Sequence, residues 1–338
     1  MRVVFDFKAR VERLQREMRV DCAVITQVNH PEANAYYYSG SLEPLLAYVT
    51  KNSSVAFTTE DLKEKDFPQF GETHAWKKAK DFYKKFFAKN KVKSVGLDFS
   101  TEASRVGFRL MEKKAKVKIE NYSRQLEGFR ALKDEKEKKL IRTAQQATKK
   151  CVQEAEDRGL EGRTESEIAG FMEWACRRKG LALDSFPPII ATGTKTAIPH
   201  STPSQEKISQ MALIDCGATC GQYHGDFTTT RYWGKSKETK DAVEAVAEAK
   251  KAAERIAKPG TKGKLLARTA EQVIREYGFG KHSFKKAGLA LGHSLGLKVH
   301  DGFKLEEVRL AKGMVFTIEP GIYVPKRFGV RFEDAVFL

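Results

Sequence analysis

Apolar residues at Val11, Leu14 and Met18 recur at the spacing of one helix face. Short apolar runs follow at Cys22–Thr26, Leu45–Thr50, Ser54–Thr58 and Val95–Phe99, and each reads as a strand. Between and after them, Ala75–Ala88 and Thr101–Lys114 read as helices. Alternating helices and strands predict a small α/β domain over residues 1–125, its end near Asn121–Gly128. The pattern then changes. A long helix begins near Asp134, with Leu140, Ile141, Ala144, Cys151, Val152 and Ala155 as its apolar stripe, and Gly159 stops it. Thr164 with Glu167 three residues on is a capping-box pattern, so a second helix starts there and closes at Gly180. Two more helices are expected over Glu238–Ala257, stopped by Pro259-Gly260, and over Gly263–Tyr277. Segments 188–192, 211–233 and 314–338 read as β structure, so residues 126–338 form a mixed α+β domain.

Composition narrows the class. A chain of 338 residues with 41 % hydrophobic positions supports two ordinary domains with sizeable cores. The net charge of +17 would suit nucleic acid, an anionic membrane or acidic substrates. The basic residues occur at scattered helix positions, as at Lys136, Lys138, Lys139, Lys149 and Lys150, and no nucleic-acid motif occurs. A solvated lysine-rich surface is therefore expected, with no nucleic-acid partner. No run of eighteen apolar residues occurs, and the N-terminal residues lack an apolar signal core, so neither a membrane association nor a secretory leader is expected. Five cysteines at irregular spacing make no disulfide framework, which fits a reducing, cytoplasmic setting.

Two segments carry paired acids. In Met211–Arg231 an apolar strand runs into Asp215, glycines 217 and 221 allow a turn, and a Thr-rich strand carries Asp226. Folding about Cys220 and Gly221 sets Asp215 opposite Asp226, where Cβ atoms lie roughly 4.5–5.5 Å apart. Two carboxylates so placed repel each other unless a cation lies between them; read alone, they fit two unrelated acids beside a turn equally well. The chain's end repeats the arrangement: folding about Lys326 sets Glu319 opposite Glu333. Two such pairs, each in an otherwise apolar strand, make coincidence a poor explanation. Between them lies Gly288–Asp301, whose glycines at 288, 292 and 296 argue against a helix and for close backbone approach. It holds His293 and His300, and His200 ends a Pro- and Gly-rich stretch from Ser185. Four carboxylates and an imidazole form a hard ligand set with enough charge for two divalent ions, suiting Mn²⁺ or Co²⁺, with Fe²⁺ or Zn²⁺ as alternatives.

Together, Ile214-Asp215-Cys-Gly, Gly292-His293, Thr317-Ile-Glu319-Pro-Gly and Val330-Arg-Phe-Glu333-Asp resemble the pita-bread metallopeptidases, whose ligands run Asp, Asp, His, Glu, Glu in chain order. The likeness covers residues 130–338. Phe129-Arg-Ala-Leu-Lys-Asp-Glu-Lys-Glu resembles the start of the catalytic domain in the prolidase and aminopeptidase P branch, and Tyr36-Tyr-Tyr-Ser-Gly its N-terminal domain. The resemblance implies a pita-bread catalytic domain that hydrolyses peptide bonds before proline. It implies that Asp226 and Glu333 bridge two ions, that Asp215 holds one, and that His293 and Glu319 hold the other. Glu319 would also carry a proton to the leaving nitrogen, and His200 and His300 would contact the substrate. Arg331 and Thr228 would support the ligands from behind, and a homodimer is implied. A dipeptidase needs a cation for the free carboxylate beyond the scissile bond; Lys304 is either that cation or one more solvated lysine. Ser294 stands where the family often has glycine, and Tyr223-His-Gly-Asp226 looks more like methionine aminopeptidases. Xaa-Pro dipeptides are the expected substrates; an aminopeptidase P acting on longer Xaa-Pro peptides, then a methionine aminopeptidase, a metal-free creatinase and a non-catalytic binding protein are the competing readings.

Overall fold

A computed structural model of the chain describes residues 5–27, 32–59, 67–79, 82–100 and 116–338. They fall into two compact units, Met1–Arg130 and Ala131–Leu338. Among the described residues no helix is long and apolar enough to cross a membrane.

The first unit is built on a six-stranded sheet. Its strands are β1 (Cys22–Gln27), β2 (Leu45–Thr50), β3 (Ser54–Thr58), β4 (Glu72–Ala75), β5 (Ser94–Leu97) and β6 (Lys118–Asn121), in the order β4-β3-β2-β1-β5-β6. The three central strands are antiparallel, and β4, β5 and β6 join parallel to their neighbours. Helix α1 (Phe7–Glu17) buries Val11 and Leu14, and Asp6 caps it by accepting from the Ala9 N–H at 2.9 Å. Helix α2 (Ala33–Ser39) ends on Gly40, whose φ of +69° closes the helix in the left-handed form. Helix α3 (Phe82–Lys89) lays Tyr83, Phe86 and Phe87 against Tyr48 and Phe57 of the sheet. The helix expected over Ala75–Ala88 thus begins later than the spacing indicated. Residues 72–75 are drawn into the sheet instead, because their backbone pairs with β3. The expected helix Thr101–Lys114 lies outside the described residues.

The second unit starts after a short helix, α4 (Ser123–Phe129), with the long α5 (Glu135–Asp157) and α6 (Glu165–Arg178). Both carry complete capping boxes, Asp134 with Glu137 and Thr164 with Glu167. The strands β7 (Ile189–Ala191), β8 (Met211–Cys216) and β11 (Phe227–Tyr232) form a sheet in the order β11-β8-β7, and β9 (Thr219–Cys220) pairs with β10 (Tyr223–His224) at the turn. Cys151, Val152, Ile168 and Met172 of the two helices pack on Ala212 and Ile214 of β8. Helices α7 (Lys237–Ile256) and α8 (Gly263–Glu276) make the second layer. Their alanine-rich faces meet Phe316, Ile318, Ile322 and Val330 of β12 (Val315–Ile318), β13 (Gly321–Val324) and β14 (Phe328–Arg331), which β15 (Asp334–Phe337) completes. Each helix pair thus backs one hairpin system, and the acids lie on the hairpins.

Candidate metal centre

The first hairpin does not have the register expected from its sequence. Thr228, not Asp226, pairs with Asp215, and Phe227 pairs with Cys216. The cause is the turn. Gly221 and Gln222 both have positive φ, at 55° and 66°, which is the pattern of a two-residue I′ turn. That moves the fold axis on by one residue and each partner by two, so side chains keep their face. Asp226 therefore lies diagonal to Asp215 rather than across from it. Its backbone leaves the ladder: the Asp226 N–H donates to Gln145 Oε1 at 2.8 Å, and Gln145 Nε2 donates to the Asp226 carbonyl at 2.6 Å. The two arms of the hairpin close tightly here, since a Cβ on Gly217 would sit 2.0 Å from the Gly225 carbonyl oxygen, and a Cβ on Gly225 would sit 2.8 Å from the Ala144 backbone of α5.

In the second hairpin Gly321 pairs with Arg331 and Ile318 with Asp334, the register that folding about Lys326 predicts. Glu319 and Glu333 occupy the break between those two stretches of ladder. The Glu333 N–H reaches the Thr228 carbonyl of the first hairpin at 2.9 Å, so the two hairpins meet at the acids.

His293 arrives on the glycine-rich segment. Its carbonyl accepts from the Thr317 N–H at 2.8 Å, and a Cβ on Gly292 would sit 2.0 Å from the Thr317 carbonyl oxygen. His293 Nδ1 donates to the Ser294 carbonyl at 3.2 Å, which leaves Nε2 as the free nitrogen. That Nε2 faces Glu319 at 3.3 Å, Asp226 at 3.4 Å and Glu333 at 3.9 Å. Asp226, His293 and Glu333 offer ligand atoms all within 4.8 Å of one another.

Asp215, Asp226 and Glu333 are buried, and each keeps one carboxylate oxygen without a hydrogen-bond partner. The cation within reach is Arg331, which donates to Asp215 and, through Nε, to the Thr228 hydroxyl at 3.3 Å. Thr228 in turn donates to Glu333 Oε2 at 2.7 Å. One guanidinium does not neutralise four carboxylates. Burial, then Glu333 and Asp215, holds Asp226 well above the usual carboxylate range. Burial and Glu333 raise Glu319, and burial and Asp215 raise Glu333. Buried, mutually repelling carboxylates with orphaned oxygens and an imidazole nitrogen aimed among them fit a site for divalent cations.

The other expected residues lie around this cluster. The His300 ring lies tilted against that of His293, with centroids 4.1 Å apart. Desolvation, then His293 and His200, pushes it down to about 4, so its imidazole is neutral at pH 7. His200 is exposed on a loop whose Pro199 carbonyl accepts from Arg331 at 3.3 Å. Lys304 is not gathered in: its side chain is 72 % exposed and its ammonium pairs with Glu307 at 3.4 Å. His224 is half-buried and holds the hairpin to the glycine-rich segment, its N–H donating to the Gly296 carbonyl at 2.9 Å.

Several supports escaped the sequence reading. Gln145 sits on α5 beside the apolar stripe, where its spacing gives no sign of the contact with Asp226. Glu165, fully buried in the first turn of α6, accepts from the Thr192 N–H at 2.9 Å, the Ser204 hydroxyl at 2.7 Å and Lys195, and so anchors both ends of the loop that carries His200. Lys133 and Asp301 form an ion pair at 3.5 Å, and Asp301 also accepts from the Leu297 N–H at 3.1 Å, pinning the segment between His293 and His300. The adjacency of Asp301 to His300 was the one available signal.

Comparison with known proteins agrees with this geometry. The chain is 34 % identical over 321 residues to the Xaa-Pro dipeptidase of Pyrococcus horikoshii, covering 90 % of this chain and 87 % of that one. It is 30 % identical over 337 residues to the Xaa-Pro dipeptidase of Pyrococcus furiosus, covering 98 % and 95 %. Among solved structures, the X-Pro aminopeptidase from Thermotoga maritima superposes with a TM-score of 0.83 at 30 % identity, over 96 % of this chain and 95 % of that one. The prolidase from Pyrococcus horikoshii gives 0.83 at 29 % identity, over 99 % and 95 %. These relatives carry the pita-bread catalytic fold that the resemblance implies. The model of metallopeptidase family M24 matches residues 139–338, which hold all four carboxylates and the three histidines, and the chain belongs to that family.

Proposed function

We propose that this protein hydrolyses the peptide bond before proline in Xaa-Pro dipeptides, using two divalent ions held by Asp215, Asp226, His293, Glu319 and Glu333. The observation that carries the reading is the group of orphaned, buried carboxylate oxygens beside His293 Nε2. Asp226 and Glu333, from the two hairpins, would hold the ions together with Asp215, His293 and Glu319. Bound there, the ions supply Lewis-acid chemistry and stabilise charge that develops on the scissile carbonyl. The remaining steps belong to the chain. Glu319 stands at the less buried edge of the cluster, 3.3 Å from His293 Nε2, where it carries a proton to the leaving nitrogen. Neutral His300 donates a hydrogen bond to the developing oxyanion. His200 orients the substrate, and Arg331 sets its loop by holding Pro199. The near-complete coverage of two relatives named Xaa-Pro dipeptidase favours the shorter substrate.

Cleavage of longer Xaa-Pro peptides is the second reading, favoured by the match to a solved X-Pro aminopeptidase. Matched Leu-Pro and Leu-Pro-Gly, assayed with added Mn²⁺ or Co²⁺, separate the two. Lys304→Ala sharpens the assay. If Lys304 leaves Glu307 to take the dipeptide's carboxylate, the variant loses about tenfold in kcat/KM on Leu-Pro and little on Leu-Pro-Gly. Equal losses on both remove that role. A homodimer belongs to the same proposal, and sedimentation as a monomer at micromolar concentration refutes it.

A further inference from the structure

A cavity of about 470 Å³ lies beside Tyr323, and none of the roles above uses it. Its volume is that of a small-ligand site. Three pieces of chain wall it: the segment ending at Ile198, the turn that holds Lys281 and Lys286, and the tip of the β13–β14 hairpin with Lys326. The ionisable groups on its wall are these three lysines, His282 and the Tyr323 phenol; among the described residues no carboxylate lines it. Among the described residues, none of the three lysines has an ion-pair partner, whereas Lys285 between two of them turns away to Glu271 at 3.4 Å. Lys326 is held at the hairpin tip with φ +60°, so its position on the rim is set by the turn. Apart from Thr194 the rest of the wall is apolar, with Ile198 55 % exposed. A cationic rim over an apolar wall suits a ligand with an aliphatic stem and an anionic end.

The cavity adjoins the catalytic cluster through two links. Tyr323 lines it, and the Tyr323 hydroxyl accepts from Arg331 at 3.0 Å, the same guanidinium that holds Asp215. Ile198 lies two residues before His200. We propose that this cavity is a subsite for an acidic side chain of the substrate peptide, with its methylenes on Ile198 and its carboxylate among Lys281, Lys286 and Lys326. The proposal rests on the peptidase reading and adds a substrate class to it.

Glu-Pro and Gln-Pro differ in charge and hardly in shape, so their ratio isolates the lysines. At low salt the protein should cleave Glu-Pro with kcat/KM about tenfold above Gln-Pro, and high salt should shrink the ratio. In the triple variant Lys281→Gln, Lys286→Gln, Lys326→Gln the ratio should fall below about twofold while Leu-Pro is cleaved as before. No preference in the wild type, or a preference that survives the triple substitution, overturns the subsite. Equilibrium dialysis of both dipeptides against the metal-free full chain separates this from a failure of the peptidase reading. Tighter Glu-Pro binding that the triple variant loses upholds the subsite even if no dipeptide is cleaved. Equal binding of both dipeptides overturns it, as does inorganic phosphate binding to the same lysines as tightly as Glu-Pro.

Discussion

The hairpin from Met211 to Tyr232 turns through two residues, Gly221 and Gln222, whereas the hairpin from Val315 to Phe337 turns through three, Pro325, Lys326 and Arg327. In the first, the tight turn shifts the ladder, and Asp226 is held out of it by the amide of Gln145. In the second, the ladder runs in the simple register and merely pauses at Glu319 and Glu333. Both deliver two carboxylates to one point. The first relies on a helix to place Asp226; the second places its acids at the break in its ladder, where the Glu319 N–H donates to the Leu291 carbonyl at 2.7 Å and the Glu333 N–H to the Thr228 carbonyl at 2.9 Å. The hairpins are then tied together at one acid, since Thr228 of the first donates to Glu333 of the second at 2.7 Å.

The largest effect is expected in the second hairpin. Glu319→Gln should lower kcat on Leu-Pro by at least about 10²-fold, the range of a lost general acid–base group. Near-normal kcat with full ion content would take the proton-transfer role from Glu319. The tie between the hairpins is next. Thr228→Val removes the hydroxyl that orients Glu333 and receives Arg331. Loss of such an outer partner weakens ion affinity about 10- to 100-fold, which competition with a chelator reads directly. Unchanged affinity would mean that the ladder alone orients Glu333.

Protonation distinguishes the bare cluster from the filled one. Asp226, Glu319 and Glu333 are all held above the carboxylate range by burial and by one another. The metal-free native state therefore binds more protons than the unfolded chain in the window between the ordinary carboxylate value and the raised ones. Its stability is greatest below that window and falls as pH rises through it. Divalent ions require the deprotonated acids, so the Tm gained on adding Mn²⁺ should be larger at pH 8 than at pH 5.5. An equal gain at both would show that the carboxylates titrate normally. The smallest effect concerns the first turn. Gln222 holds φ +66° without being glycine, so Gln222→Gly should raise stability by up to about 1 kcal/mol in chemical denaturation. A loss would mean that the Gln222 side chain contributes more than its backbone costs.

The sequence was most legible where periodicity and chain order suffice. Helices α5 to α8 begin and end within a residue or two of the expected places, because capping pairs and terminal glycines mark them. The second hairpin's register followed from one turn. The first hairpin's register did not, because Gln222 gives no sign in the sequence that it will adopt positive φ. The small sheet edges β4 and β6 were unreadable for a similar reason: their polar residues form strands only because β3 and β5 offer partners. The supports of the cluster, Gln145, Glu165 and the Lys133–Asp301 pair, join positions 27 to 168 residues apart, and no local pattern announces such contacts.

The central claim is that the carboxylates of both hairpins, with His293, hold the ions on which hydrolysis depends. The most direct measurement titrates Mn²⁺ into the chelator-stripped full chain, following bound ion by elemental analysis and Leu-Pro hydrolysis in the same samples. The account predicts no hydrolysis without metal and full activity as occupancy reaches two ions per chain. Undiminished hydrolysis by the stripped protein, or full activity with no bound divalent ion, would contradict it.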